Sequence, residues 1–345
     1  MSWRTDIESS LTQSWQEWRL LTILLLPLAF TYRLLEQFRR LLFAERILRI
    51  HRVPAKVVVV GNVITGGAGK TPTLLALAES LQHSGYAVGI ISRGYGRASN
   101  GVQEVLPDSD PLQVGDEPLL IRRRLSLPVF VGGDRVAAAK ELLRTHPHTC
   151  IILSDDGLQH LRLYRDLEIY VFDNRGTGNG LPLPAGPMRS PWPPHFVPAA
   201  GQSPETSVVL HTGSKPAFDG YRAMRRLAAY GIQHNGNRVS LASLSNAPSR
   251  LVAVAGIAQP ESFFQMLAAV GIKTTKNIAY PDHYEFTTWQ RPDQEDWIVV
   301  CTEKDAVKLW HHEPEAIAIP LVQDLDTSFL HKVLRTLGAP VPPAT

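Results

Sequence analysis

The residues best suited to chemistry are Lys70 and Thr71, which close the glycine-rich run GNVITGGAGKTP at 61–72, and the adjacent aspartates Asp155 and Asp156 in LSDDGLQH. Glycines let a loop turn its backbone N–H groups toward one point, where they cradle phosphate oxygens. Residues Ile64, Thr65, Gly66, Gly67, Ala68, Gly69, Lys70 and Thr71 are therefore the expected ATP phosphate loop. Lys70 would reach the β- and γ-phosphate oxygens and the Thr71 hydroxyl would hold Mg²⁺. The pattern G-x-x-x-x-G-K-[ST] asks for glycine at position 64, where this chain has Ile64. A glycine-rich turn without a ligand is the alternative. Asp155 and Asp156 have the placement of a Walker B pair that anchors Mg²⁺ directly or through water, at least one of them as a ligand. A turn or capping role for one of them is the alternative.

These groups need strands and helices to aim them. Lys56 to Val60 is a continuous β-branched run, as in a parallel strand buried on both faces, and the apolar-periodic stretch Leu74 to Leu81 predicts a helix after the loop. Pro72 is tolerated in the first turn, whose N–H groups have no intrahelical partner. Further strands are expected at Ala87 to Ser92, Val129 to Val131 and Cys150 to Leu153, each running into polar residues. Open α/β sheets bind ligands at such carboxyl ends. Arg93 and Arg97 in SRGYGR, and Asp134 and Arg135 in GGDR, fall there; spacing alone leaves Arg135 as a phosphate clamp or a surface ion pair. Asp116 and Glu117 precede Pro118 and an apolar helix, which by itself reads as a helix N-cap.

The expected fold is α/β: a P-loop NTPase-like, mostly parallel sheet flanked by helices, with an N-terminal membrane-associated helical segment and a second, smaller α/β domain. The corresponding divisions are 1–52, 53–207 and 208–345, with an aperiodic Pro-, Ala- and Gly-rich stretch at about 192–207 as the linker. With 345 residues, 44% hydrophobic and 19% charged, the chain is globular, and a formal charge of +3 gives no basic field for nucleic acid. Two cysteines, Cys150 and Cys301, lie at apolar runs and suggest a reducing compartment rather than a disulfide framework. Leu20 to Tyr32 is nearly all apolar but interrupted by Pro27, and its thirteen residues span only about 20 Å as a helix, too short to cross a bilayer simply. Next comes an amphipathic stretch, Arg33 to Arg49, with Leu34, Leu35, Phe38, Leu41 and Leu42 on one face and an excess of arginine. An apolar wedge and a basic amphipathic helix suit insertion into one leaflet of an anionic membrane. Two helices packed on the soluble core are the alternative.

Taken together, VGNVITGGAGKTP, SRGYGR, GDEP, GDR, LSDDGLQH with Arg162 and Asp166, LPAGPMR, PDHYEF and TEKDAVK resemble the tetraacyldisaccharide 4'-kinase family, the lipid A 4'-kinases. These segments run in order from residue 60 to 308, and DDGLQH, LPAGPMR and PDHYEF are not generic phosphate-loop features. The resemblance implies transfer of the ATP γ-phosphate to the 4'-hydroxyl of a tetraacylated glucosamine disaccharide 1-phosphate in lipopolysaccharide biosynthesis. It implies a peripheral enzyme on the cytoplasmic face of the inner membrane, with ATP and Mg²⁺, a lipid A disaccharide precursor and an anionic membrane surface as its partners. No obligate protein partner is evident.

Carried over by motif, Arg135 and Arg189 are phosphate-neutralising groups, Thr71 with Asp155 or Asp156 serves Mg²⁺, and Asp116 and His283 are the base and its partner at the acceptor hydroxyl, with Lys70 also catalytic. In most relatives the residue after the arginine of LPAGPMR is acidic; here it is Ser190, with Asp173 or a water as the substitute to consider. Two rivals share the loop. A partitioning ATPase would carry a lysine where Thr65 precedes the Gly-Gly pair, and a GTP-binding module would need a guanine-reading motif that TEKD at 302–305 matches only in part.

Overall fold

The computed structural model describes residues 14–15, 19–245, 250–282, 284–291 and 297–338. Helix α1 (Leu20–Ala44) leads into strand β1 (Lys56–Gly61), helix α2 (Lys70–His83) and strands β2 (Val88–Ser92) and β3 (Gln103–Glu104). Helices α3 (Pro111–Val114) and α4 (Asp116–Arg124), β4 (Val129–Val131), α5 (Arg135–Thr145), β5 (Ile151–Asp155), β6 (Leu167–Phe172), β7 (Ser207–His211) and β8 (Tyr221–Leu227) follow. After these come β9 (Tyr230–Ile232), β10 (Arg238–Ser240), α6 (Leu241–Ser245), β11 (Arg250–Ala255), α7 (Pro260–Ala269) and β12 (Lys276–Ala279). The last elements are β13 (Trp297–Thr302), α8 (Glu303–Leu309), β14 (Ile317–Ile319), β15 (Leu321–Leu325) and α9 (Thr327–Leu337).

Among the described residues the strands form two sheets. The larger has nine strands in the order β15-β8-β7-β6-β1-β5-β2-β4-β3, parallel except at its two edges, β3 and β15. Strand β1 shows why this sheet is buried on both sides. Val58 and Val60 face one core with Leu74, Leu77 and Leu81 of α2, while Val57 and Val59 face the other with Val136 and Leu142 of α5. The smaller sheet has six strands, β10-β9-β14-β13-β11-β12, with its own apolar layers on either face. The sheets divide the chain differently from the expected boundary at 207/208. Strand β7 pairs with β6 inside the large sheet, and β8 and β15 pair antiparallel with Leu227 opposite Leu321. The smaller sheet, 230–319, is thus inserted between two neighbouring strands of the larger one, and α9 returns to the first core through Phe329 and Val333.

At the N-terminus the apolar and amphipathic stretches merge. Helix α1 runs through Pro27 without a break and is long and apolar enough to cross a membrane by length and composition. Proline there removes only one ladder hydrogen bond, so the helical stretches on either side of it continue. The helix buries Thr22, Ala29, Arg40 and Phe43 but leaves Leu24, Leu28, Leu34, Leu35, Phe38 and Leu41 exposed.

One buried ion pair sets the loop after β5. Arg165 and Glu168, both fully buried, pair at 2.8 Å, and Arg165 also donates to the carbonyls of Leu158, His160 and Leu163. Glu168 further accepts from Tyr170 Oη at 2.6 Å and Gln202 Nε2 at 2.7 Å. Glu168→Ala strands the guanidinium, so a loss of about 3–5 kcal/mol is expected, read from the urea midpoint.

Candidate active site

The carboxyl ends of β1 and β5 lie side by side, with Val60 opposite Asp155 in the parallel ladder. Four polar groups meet just beyond them. Lys70 Nζ donates to Asn62 Oδ1 at 3.3 Å and approaches Asp156 Oδ2 at 3.8 Å. Arg189 grips Asp156 with both ends of its fork, at 3.0 and 2.8 Å, and also donates to the Asn62 carbonyl at 3.1 Å. Asp156 adopts φ 46°, a left-handed conformation that aspartate tolerates better than most residues, and Gly157 follows where a Cβ would meet Ser154 Oγ at 2.5 Å. The tight turn swings the second carboxylate out toward Lys70 while the first stays in the sheet.

That division gives the two aspartates opposite electrostatics. Asp155 is buried, accepts from Ser92 Oγ at 3.1 Å, and leaves Oδ1 buried without a partner among the described residues. Burial, then the nearby Glu117 and Asp156, push its pKa up to about 7. For Asp156 burial also acts upward, but Lys70 and then Arg189 outweigh it and hold the carboxyl below its ordinary value.

The phosphate loop occupies the turn between β1 and α2. Ile64, standing where glycine is usual, is buried and forms an antiparallel bridge with Met188, while Thr65 N donates to Pro187 O at 2.8 Å. The segment LPAGPMR thus clamps the loop's first half, and an apolar side chain is accommodated because that half packs inward. Gly66 and Gly69 both have φ of 87°. Thr71 lies in the first turn of α2, half-buried.

Three expected residues are found in unexpected settings. Arg135 is buried rather than presented at the surface, donating to Gly132 O at 2.9 Å and Asp155 O at 3.3 Å, so its charge lies behind the aspartates. Asp116 does not cap its helix with its side chain; Gly115 is the N-cap, and the nearly buried carboxylate pairs with Lys308 Nζ at 2.8 Å. Asp173 is engaged by Arg175, at 3.0 and 2.8 Å, beneath the phosphate loop, and Ser190 Oγ accepts from Gln159 Nε2 at 3.1 Å. His283 lies outside the described residues.

Reading the sequence missed Asn62, Lys304 and Lys308. The two lysines are four apart on α8 and so share a face. Lys308 holds Asp116 and Glu285, and Lys304 holds Glu117 at 3.5 Å and Asp282 at 3.0 Å. Arg124 completes the contact between α4 and α8 through Glu303 at 2.8 Å.

The family model described as "Tetraacyldisaccharide-1-P 4'-kinase" matches residues 21–338. The chain belongs to this family. Tetraacyldisaccharide 4'-kinase of Acidovorax ebreus is 46% identical over 327 residues, 94% of this chain and 93% of that protein. That of Polaromonas naphthalenivorans is 44% identical, covering 90% of each chain. The crystal structure of "apo" form LpxK from Aquifex aeolicus in complex with ATP has a TM-score of 0.77 at 26% identity, covering 92% of this chain and 100% of that one. Membership of the tetraacyldisaccharide 4'-kinase family makes this chain a kinase on an α/β fold.

His160, in the family's DDGLQH segment, supplies a pH test of the site's packing. Burial, with Arg135 next, lowers its pKa to about 4, so the ring is neutral at pH 7 and its 3.9 Å approach to Asp134 is not an ion pair. A histidine whose folded pKa is depressed contributes stability that is present above its unfolded value near 6.5 and lost as pH falls toward 4. Relative to His160→Gln, the wild type is expected to lose up to about 1.4 kcal/mol per pH unit across that window, measured by urea denaturation at stepped pH.

Proposed function

We propose that this chain transfers the ATP γ-phosphate to the 4'-hydroxyl of a tetraacylated glucosamine disaccharide 1-phosphate, a lipid A precursor. The observation that carries the reading is the convergence of Lys70, Asn62, Asp156 and Arg189 at one edge of the sheet, against a glycine-rich loop. ATP lays its phosphates along 64–71, with Lys70 at the transferring group. Arg189, and Arg135 from beneath, offset the negative charge that gathers there. The acceptor oxygen attacks the γ-phosphorus, the bond to the bridging oxygen breaks, ADP leaves, and the hydroxyl proton passes to Asp116. His283 is assigned to orient that carboxylate. In support, Asp282 and Glu285 on either side of position 283 share Lys304 and Lys308 with Glu117 and Asp116.

The residues also suit Mg²⁺. A buried carboxylate oxygen of Asp155 without a partner among the described residues, the hydroxyl of Thr71 and the neighbouring Asp156 are hard oxygen donors, and Mg²⁺ takes few protein ligands beside phosphate. Held there, the ion would supply positive charge to offset that of the ATP phosphates.

Helix α1 supports work at an anionic surface, on the cytoplasmic face of the inner membrane. Its outward leucines and phenylalanine gain nothing from the protein core, and Tyr32 Oη donates to Arg189 O at 2.8 Å, tying the helix to the site. Substituting Gln for both Leu34 and Phe38, which are exposed, is expected to weaken sedimentation with anionic vesicles while leaving ATP binding unchanged. Equal sedimentation would move the membrane contact elsewhere.

The activity is tested by incubating the protein with ATP, Mg²⁺ and the tetraacyl disaccharide 1-phosphate and following gain of one phosphate by mass spectrometry. Lys70→Ala is expected to lower kcat roughly a hundredfold or more; near-normal turnover would end the phosphate-loop reading. Asp116→Ala and His283→Ala should each lower kcat strongly with ATP affinity nearly kept, and their losses should be non-additive in a double-mutant cycle. Additive losses would show that the two do not act as one unit.

A further inference from the structure

The back of the phosphate loop is gripped both by its own neighbours and by Arg175, Thr212 and Arg225, which are distant in sequence. Gly66 O accepts from Asn62 Nδ2 at 3.2 Å, and Gly67 O from Arg175 Nη2 at 3.0 Å. Ala68 O accepts from Arg225 Nη2 at 2.8 Å and Thr212 Oγ1 at 2.9 Å, and Gly69 O from Thr73 N at 3.1 Å and its hydroxyl at 2.9 Å. In a trans peptide the N–H points away from the carbonyl it is joined to. Holding these carbonyls on one side turns the N–H groups of Gly67, Ala68 and Gly69 to the other, which makes an anion-binding concavity. Among the described residues, none of those three N–H groups is given to a protein acceptor.

Arg225 is the grip least expected from the sequence. It lies on β8 directly opposite Gln323 of β15. Gln323 in turn donates at 2.6 Å to Thr73 Oγ1, the hydroxyl that holds Gly69 O. The guanidinium passes so close behind the loop that a Cβ at position 69 would lie 1.9 Å from Nη2. Position 69 therefore needs glycine twice over, for its left-handed φ and for this approach.

We propose that Arg225 is a positioning residue for ATP: by holding the Ala68 carbonyl it sets the loop's N–H groups on the phosphates. The inference rests on reading 64–71 as the phosphate loop. Backbone contacts to phosphates that are not transferred are made alike in the ground and transition states, so their loss raises KM rather than lowering kcat. That signature separates Arg225 from Lys70.

The test compares steady-state kinetics with calorimetric binding of inorganic tripolyphosphate, which lacks the nucleoside. Arg225→Met is expected to raise both KM for ATP and Kd for tripolyphosphate about tenfold or more, the loss of a charged hydrogen bond, with kcat at saturating ATP within about twofold. Arg225→Lys keeps the charge and a donor and should recover part of the loss. Thr212→Val, a smaller change that removes the second donor to Ala68 O, should raise the same two constants a few-fold and guards against misfolding of the first variant. Unchanged tripolyphosphate affinity in both Arg225→Met and Thr212→Val, or a fall in kcat at unchanged KM, overturns the inference. If Lys70→Ala also leaves tripolyphosphate binding and turnover intact, the phosphate-loop reading itself fails. If Lys70→Ala loses them while Arg225→Met does not, only the role of Arg225 fails.

Discussion

Two neighbouring carboxylates at the end of a buried strand repel each other, and the architecture of the site follows from how that repulsion is managed. Asp155 stays inside the sheet, with Ser92 as donor and Arg135 behind its carbonyl. Asp156 is turned out by a left-handed backbone and met by Arg189 and Lys70. Neither solution works alone. The turn requires glycine at position 157, the arginine requires LPAGPMR to run back beside β1, and the lysine requires the phosphate loop to begin α2 at that point. Arg165 and Glu168 then hold the chain just beyond, so the loop cannot relax away from the pair.

The contact between the two sheets has a different character. Each sheet carries its own apolar layers, and what joins α4 to α8 is chiefly a row of ion pairs, with Val307 the apolar exception that enters the first core. Lys304 with Glu117 is the more exposed pair, whereas Lys308 with Asp116 is buried and would be costly to break. The proposed base, Asp116, lies on this contact itself and not in either core.

The parts of this organisation that were legible in the sequence are those written locally. The run Lys56–Val60, the glycine-rich loop and the following apolar period lie within a few turns of one another, and all three formed as expected. Asp155 and Asp156 declared themselves by following an apolar strand. Arg225 and Gln323 gave no such signal, because a polar residue facing inward on an edge ribbon looks like ordinary alternation until its partner is known. A strand end predicts nearness to the ligand edge but not which way a guanidinium turns, and Arg135 turns inward to the Gly132 and Asp155 carbonyls. The division at 207/208 failed to anticipate the sheets because a Pro- and Gly-rich crossover between parallel strands has the same composition as a linker. Ser190 and Asp173 show the limit of motif transfer, since Asp173 is already committed to Arg175.

Inserting the smaller sheet between β8 and β15 has a consequence for how the chain is made. Gln323 and Thr73, which meet at the phosphate loop, are 250 residues apart in sequence. On the ribosome, the loop, both aspartates and the strands around them emerge well before β15 and α9. The edge of the large sheet and the apolar layer under α2 stay open through synthesis of the whole insert, because Phe329 and Val333 arrive last. Domains emerging in order from the N-terminus normally fold as they appear, but here the first sheet to emerge is the last to be completed. A chain that stops short, at any point in the insert, therefore carries the complete set of phosphate-loop residues on an unfinished core, which only β15 and α9 close.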